Sequence, residues 1–117
     1  MKILSSNVRG LGQSRAVRRL KNKLRHIQPQ VLFLMDTKVT SKRMELIRRR
    51  YGFTNGIDID EGGLSLGWKE GISLNLKSYS RSHIDVEVEE ENRAKVWRFK
   101  GFMESQLNIT EGSRGSY

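Results

Sequence analysis

Hydrophobic residues follow two rhythms along this chain: blocks and helical spacing as far as Gly52, and alternation from Phe53 onward. Residues 2 to 6 read as a short strand running up to Asn7, with Gly10-Leu11-Gly12 as a permissive turn after it. Val17, Leu20, Leu24 and Ile27 recur at helical spacing, which predicts a helix capped by Ser14 with one apolar face. Gln28-Pro29 stops it, because the residue before a proline avoids the right-handed helical region. Val31-Leu32-Phe33-Leu34-Met35 is an unbroken apolar run, the pattern of a strand buried on both faces, and Asp36 stands at its carboxyl end. Two such strands joined by a helix predict a parallel pair with a crossover connection. That arrangement delivers the Asn7 amide and the Asp36 carboxylate to one edge of a sheet.

Thr40 or Ser41 can cap a second helix, with Met44 and Ile47 facing inward and Gly52 beyond its end. Arg48 to Arg50 fall near its C-terminus, where cations favour the helix dipole, and read as structural and solvated rather than as a binding site. After Phe53 the alternating sets are Leu64, Leu66 and Trp68, then Ile72, Leu74 and Leu76, then Ile84, Val86 and Val88, with a last strand near 95 to 102. Gly62-Gly63 and Glu70-Gly71 punctuate this region, and Glu89 to Arg93 reads as a charged hairpin turn. Asp85, Glu87, Glu89, Glu90 and Glu91 alternate along an outward strand face into that turn, so they read as solvated surface and not as a metal cage. The sum is an α/β chain: a mixed sheet with two helices, followed by an antiparallel meander. No repeat, low-complexity segment or linker divides it.

Charge changes the picture. The net charge is +9, but residues 1 to 50 carry 14 Lys+Arg against 2 Asp+Glu, and residues 51 to 117 carry 8 against 11. A basic half of that strength favours DNA or another polyanion through counterion release and steering, with a solvated helix surface as the plain alternative. Arg9, Arg15, Arg18, Arg19 and Lys23 are the residues expected to meet it, while Lys21 and Arg25 share the same helix. The absence of cysteine excludes disulfides and thiolate metal sites. Nothing argues for an oxidising compartment, a signal peptide or a membrane span, which needs roughly 20 apolar residues. The expectation is an intracellular protein, nuclear and cytoplasmic being indistinguishable. Gly10-Leu11-Gly12 lacks the third glycine of a nucleotide fingerprint, so no small-molecule cofactor is expected. His26 and His83 read as helix-end and surface residues.

Ile3-Leu4-Ser5-Ser6-Asn7-Val8-Arg9-Gly10-Leu11-Gly12, Arg15-Ala16-Val17-Arg18-Arg19-Leu20, Val31-Leu32-Phe33-Leu34-Met35-Asp36-Thr37-Lys38, Gly62-Gly63-Leu64 and Trp97-Arg98-Phe99-Lys100-Gly101-Phe102 occur in an order and spacing with a family counterpart. Together they resemble the endonuclease/exonuclease/phosphatase superfamily, specifically the endonuclease domain of plant LINE-type (non-LTR) retrotransposons, over residues 1–102. The resemblance implies a DNA-nicking enzyme in which Mg²⁺ is held by the strand-two acid, here Asp36, while the strand-one amide, Asn7, arranges the phosphate. Two positions depart from the pattern: Ser6 stands where the family has Trp, and Asp36 where it has Glu. The shorter Asp draws its oxygens back by about one C–C bond, ~1.5 Å, although Mg²⁺ readily keeps a bridging water. The family fold is a four-layered α/β sandwich of about twice this length, so the expectation here is its N-terminal half, with one sheet face lacking a partner.

Beyond Phe102 the resemblance stops. The family continues with Tyr-Gly-x-Pro and later Asn-Arg and Ser-Trp, whereas this chain runs from Met103 to Tyr117 without them. Under one choice of synonymous codons, the same bases read one frame away give Tyr-Gly-Ile-Pro-Ala-Gln-His-Asn-Arg-Arg-Glu-Ser-Trp-Glu-Leu. That reading makes residues 103–117 a frameshifted tail, expected to be disordered. Gly-Asp-Phe-Asn and Ser-Asp-His segments, which the family also uses, do not occur in the sequence. Phosphodiester hydrolysis needs a Lewis acid, an oriented water and stabilisation of the leaving oxygen, and the chain offers only Asn7 and Asp36 toward that set. The expectation is a truncated, catalytically silent remnant of such an endonuclease. The alternative is a small basic nucleic-acid-binding module without catalysis. A working enzyme completed by another chain ranks last.

Overall fold

A computed structural model describes residues 1–60, 63–90 and 96–102. The elements follow the chain as β1 (Ile3–Asn7), α1 (Ser14–Ile27), β2 (Val31–Met35), α2 (Ser41–Arg50), β3 (Asn55–Ile59), β4 (Leu64–Trp68), β5 (Ile72–Tyr79), β6 (His83–Glu90) and β7 (Val96–Phe102). They form a four-stranded mixed sheet in the order β1-β2-β4-β3 and a three-stranded antiparallel sheet in the order β5-β6-β7. β1 and β2 are parallel, with Ile3 opposite Val31 and Asn7 opposite Met35. The expected crossover pair, two helices and antiparallel meander are therefore present. No helix among the described residues is long and apolar enough to cross a membrane.

Period-two geometry sorts the central strand β2 onto two cores. Leu32 and Leu34 face the helices and pack with Leu20, Leu24, Met44, Ile47 and Phe53. Val31, Phe33 and Met35 face the other way and join Leu64 and Leu66 against Ile84, Val86, Val88 and Phe99 of the second sheet. At the centre of that second core the Phe33 and Phe99 rings meet edge to face at 5.3 Å. The sheets come this close because position 101 is glycine: a Cβ there would lie 2.6 Å from Phe33 Cε2 and Cζ. The expectation of an uncovered sheet face is thus overturned. The meander folds back and supplies the partner, giving three layers in the order helices, mixed sheet, antiparallel sheet.

Several local expectations also change. Ser14 does not cap α1; it is the first helical residue, the N-cap is Gln13, and no side chain closes the end. The Gln13 carbonyl instead accepts from the Ala16 and Val17 N–H groups at 3.1 and 3.3 Å. At the other end Gln28 adopts φ 54°, the left-handed escape left open to a residue before proline, and donates its N–H to the Leu24 carbonyl. Thr40 caps α2, its side chain accepting from Arg43 N–H at 3.2 Å. β3 was not anticipated, since Asn55, Gly56 and Asp58 are poor strand residues. The alternation ending at Leu76 breaks at a register shift between Leu76 and Ser78, which leaves Leu76 exposed.

Arg48 supplies the largest correction, because it is buried rather than solvated. Gly56 and Gly67 face each other across β3 and β4. Their missing side chains leave a trough, since a Cβ on Gly56 would lie 2.7 Å from Arg48 Nη1 and one on Gly67 3.1 Å from its Cδ. The guanidinium in that trough donates to both Asp58 carboxylate oxygens and to the Phe53 carbonyl, and Ser65 Oγ completes the carboxylate shell at 2.6 Å. Each guanidinium nitrogen and both carboxylate oxygens have a partner there, the condition under which burying an ion pair is tolerated. Arg49 and Arg50 remain exposed.

On the outer face of the second sheet, Asp85 is bound by Arg98 at 2.7 and 2.9 Å, and Glu87 lies 3.7 Å from Lys77. Asp85 and Glu87 alternate outward as expected but are ion-paired rather than simply solvated. Glu89 and Glu90, in contrast, belong to β6 and not to a turn, and Glu90 is half-buried with the N-terminal amine 3.9 Å from its Oε2. The Arg98 hydrogen bond is the main reason that Asp85 titrates below the usual carboxylate range, against the opposing effect of burial. His83 opens β6 half-buried; its Nδ1 and Nε2 lie 2.7 and 3.1 Å from the Ser80 and Ser78 hydroxyls, and its ring stacks on Phe102. Gly62 and the Glu91 to Arg93 part of the expected Glu89 to Arg93 turn, together with the frameshift reading of residues 103–117, lie outside the described residues.

Candidate nucleic-acid and metal edge

The carboxyl ends of β1 and β2 meet three loops that are sewn together by their backbones. Val8 N–H donates to Met35 C=O, Gly10 N–H to Asp36 C=O, Leu11 N–H to Thr37 C=O, and Thr37 N–H to Gly63 C=O, all between 2.7 and 3.0 Å. Holding that lattice forces unusual backbone: Arg9, Asp36 and Lys38 have φ of 50°, 58° and 54°, three of the four non-glycine residues with left-handed backbone among those described. Such positions cost free energy and persist where the surroundings over-determine them, commonly at functional sites. At Gly63, φ is 64° and a Cβ would lie 2.9 Å from Thr37 N, so glycine is required.

Asn7 and Asp36 stand side by side at this edge, because Asn7 is opposite Met35 and Asp36 is the next residue. Asn7 is exposed, and its Oδ1 accepts from Arg9 N–H at 3.1 Å, an Asx-type turn that leaves the amide NH₂ to donate elsewhere. The Asp36 carboxylate is partly exposed, and the ammonium of Lys38 lies 4.0 Å from its Oδ1. Lys38 closes the segment that carries the family resemblance, but it was not among the expected site residues. Among the described residues no group of three or more His, Cys, Asp or Glu gathers to form a metal cage.

The basic residues do not make one stripe. Helical geometry at 100° per residue puts Arg15, Arg19 and Lys23 in a row at i, i+4, i+8 on the β1 side of α1. Arg18 falls on the opposite flank with Lys21 and Arg25. On the β1 side, Arg19 and Lys23 line a cleft with Ser6, Asn7, Val8, Ala16 and Leu20, and Lys23 donates to the buried Ser6 Oγ at 3.2 Å. Arg9 is exposed in the loop after Asn7. The structure therefore brings Asn7, Arg9, Arg19, Lys23 and Asp36 to the same end of the mixed sheet, with Arg15 one turn above Arg19. It leaves Arg18 outside that group. The Ser6–Lys23 contact was not foreseen either, since nothing in the sequence says that a lysine seventeen residues on will fold over a strand serine.

No protein-family model matches the chain, and comparison with curated proteins gives no match.

Proposed function

We propose that this edge belongs to a Mg²⁺-dependent DNA endonuclease domain of the endonuclease/exonuclease/phosphatase type, of the kind carried by plant LINE-type retrotransposons, and that these 117 residues alone bind DNA without cutting it. The observation that carries the reading is the position of Asp36 one residue beyond Met35, the partner of Asn7, at the carboxyl edge of the parallel β1–β2 pair, with Arg19 and Lys23 lining a cleft beside Asn7. Cations on the helix neutralise backbone phosphates and set the register of the duplex. The free amide NH₂ of Asn7 donates to a phosphate oxygen.

One carboxylate and one amide, the amide oxygen already bonded to Arg9, form no closed cage. They suit Mg²⁺ only as an ion shared with a phosphate, with Asp36 as its carboxylate ligand, directly or through a water. When bound, the ion would supply charge neutralisation at that phosphate. Among the described residues, none stands beside Asn7 and Asp36 to orient the attacking water and protonate the leaving oxygen. Removing members of a catalytic unit leaves little beyond binding, so no turnover is expected.

The second reading, a basic nucleic-acid-binding module with no metal, is favoured by α1 itself, which carries six Lys or Arg and no carboxylate. Duplex binding measured across a salt series separates the readings. Both require log affinity to fall with log salt, at about −0.9 per phosphate neutralised, and a slope near zero overturns both. Strengthening by Mg²⁺ that Asp36→Ala and Asn7→Ala both remove supports the endonuclease reading, and its absence supports the module. Mg²⁺-dependent nicking of supercoiled plasmid that vanishes in both variants would overturn the claim of silence.

A further inference from the structure

The far flank of α1 faces a second cleft, at the end of the mixed sheet opposite Asn7 and Asp36. Pro29 and Gln30 lead into β2 there, and Lys69, which follows β4, donates its N–H to the Gln30 carbonyl. The cleft is open to solvent, has a cavity volume of about 260 Å³ and is lined by Lys21, Leu24, Arg25, Pro29, Tyr51, Phe53 and Lys69. Three cations surround it, and none of its described lining residues is a carboxylate. Its floor is apolar: Leu24 and Phe53 are buried, and the Lys69 ammonium sits 5.2 Å from the centre of the Phe53 ring. Tyr51, half-buried at the end of α2, is the aromatic surface left within reach.

This combination asks for a ligand with a flat apolar body and a compact negative charge. A purely inorganic anion would leave the aromatic wall uncovered, and a neutral apolar ligand would leave three like charges crowded without an answer. We propose that this cleft binds a nucleotide unit, with its base against Tyr51 and its phosphate among Lys21, Arg25 and Lys69. Base–aromatic stacking tolerates any base, and cations around it track the phosphate, the combination used on single-stranded nucleic acid. The source is either a free nucleotide or an unpaired nucleotide of a strand. The site shares no residue with the Asn7 and Asp36 edge, so each stands or falls separately.

The test is a titration of the intact chain, followed by amide chemical shifts, with adenosine 5′-monophosphate, adenosine, inorganic phosphate and a single-stranded oligo-dA. Adenosine monophosphate should shift residues 21–28, 51–53 and 69 and bind at least tenfold more tightly than adenosine or phosphate. Oligo-dA binding more tightly still, with the same residues shifted, assigns the site to a strand; equal or weaker binding assigns it to the free nucleotide. Lys21→Ala with Arg25→Ala, both exposed and outside the core, should cut affinity about tenfold and flatten its salt dependence. Tyr51→Ala should also weaken binding, and Tyr51→Phe should restore it, because the ring rather than the hydroxyl is used. Shifts confined to other residues, or unchanged affinity in the Lys21/Arg25 double variant, overturn the proposal.

Discussion

Two aspartates on the same sheet show opposite uses of a carboxylate. Asp58 on β3 is enclosed by Arg48 and Ser65, with its side chain 8% exposed and both oxygens bonded. Asp36, just past β2, has left-handed backbone, a side chain 31% exposed and one lysine at 4.0 Å. The first carboxylate is spent on joining α2 to β3 and β4. The second is held in place by its backbone while its oxygens stay open. Burial and bonding separate the two: the oxygens of Asp58 are already committed to Arg48 and Ser65, while those of Asp36 keep open positions.

That contrast can be broken most forcefully at Arg48. Arg48→Ala leaves Asp58 buried without its cation and should cost about 3–5 kcal/mol in urea unfolding. Replacing Arg48 and Asp58 together by apolar residues should recover much of the loss, and failure to recover would mean that the bond to the Phe53 carbonyl, not the ion pair, holds the corner. At Asp36 the sign reverses. Asp36→Gly relieves a left-handed φ and should leave stability equal or raised by up to about 1 kcal/mol, while removing any Mg²⁺ effect on DNA binding. A large loss of stability would show that the carboxylate is structural after all. Asn7→Ala should stay within about 0.5 kcal/mol, as expected of an exposed position, apart from its turn bond to Arg9.

A third aspartate sharpens the comparison through pH. The folded-state pKa of Asp85 is lowered, chiefly by its hydrogen bond from Arg98. Its stabilisation is therefore fully present above the unfolded carboxylate value near 3.9 and is lost as pH falls through the lower folded value. Asp85→Asn should flatten that part of the acid unfolding curve and change little at pH 7 beyond the modest worth of a partly exposed pair. An unchanged acid limb would assign the acid sensitivity elsewhere.

Legibility from sequence followed the kind of signal available. β2 was plain because five consecutive apolar residues have few other readings, and Asn7 and Asp36 were placed together because a helix between two short buried strands makes them parallel. β3 was invisible because its stability is tertiary: Gly56 and Asp58 suit a strand only when Arg48 arrives from α2 to fill the trough. The same event misled the reading of Arg48 as solvated. Coverage of the mixed sheet by the meander was likewise hidden, since Phe33, Phe99 and Gly101 fit one another only in three dimensions. The split of the basic helix into two flanks was implicit in its spacing, but the clefts beside each flank depend on Ser6 and Tyr51 arriving from elsewhere.

The strand order has a consequence for assembly. Among the described residues, every strand of the mixed sheet comes from Ile3–Trp68 and every strand of the antiparallel sheet from Ile72–Phe102, with no strand exchanged between them. A cut in the exposed Glu70-Gly71 link would sever no ladder and would divide the chain into two pieces, each with its own hydrogen-bonded sheet. The pieces are joined across the sandwich by side chains, Phe33 against Phe99 at their centre, so the two halves expressed as separate polypeptides have the means to find each other and rebuild the whole.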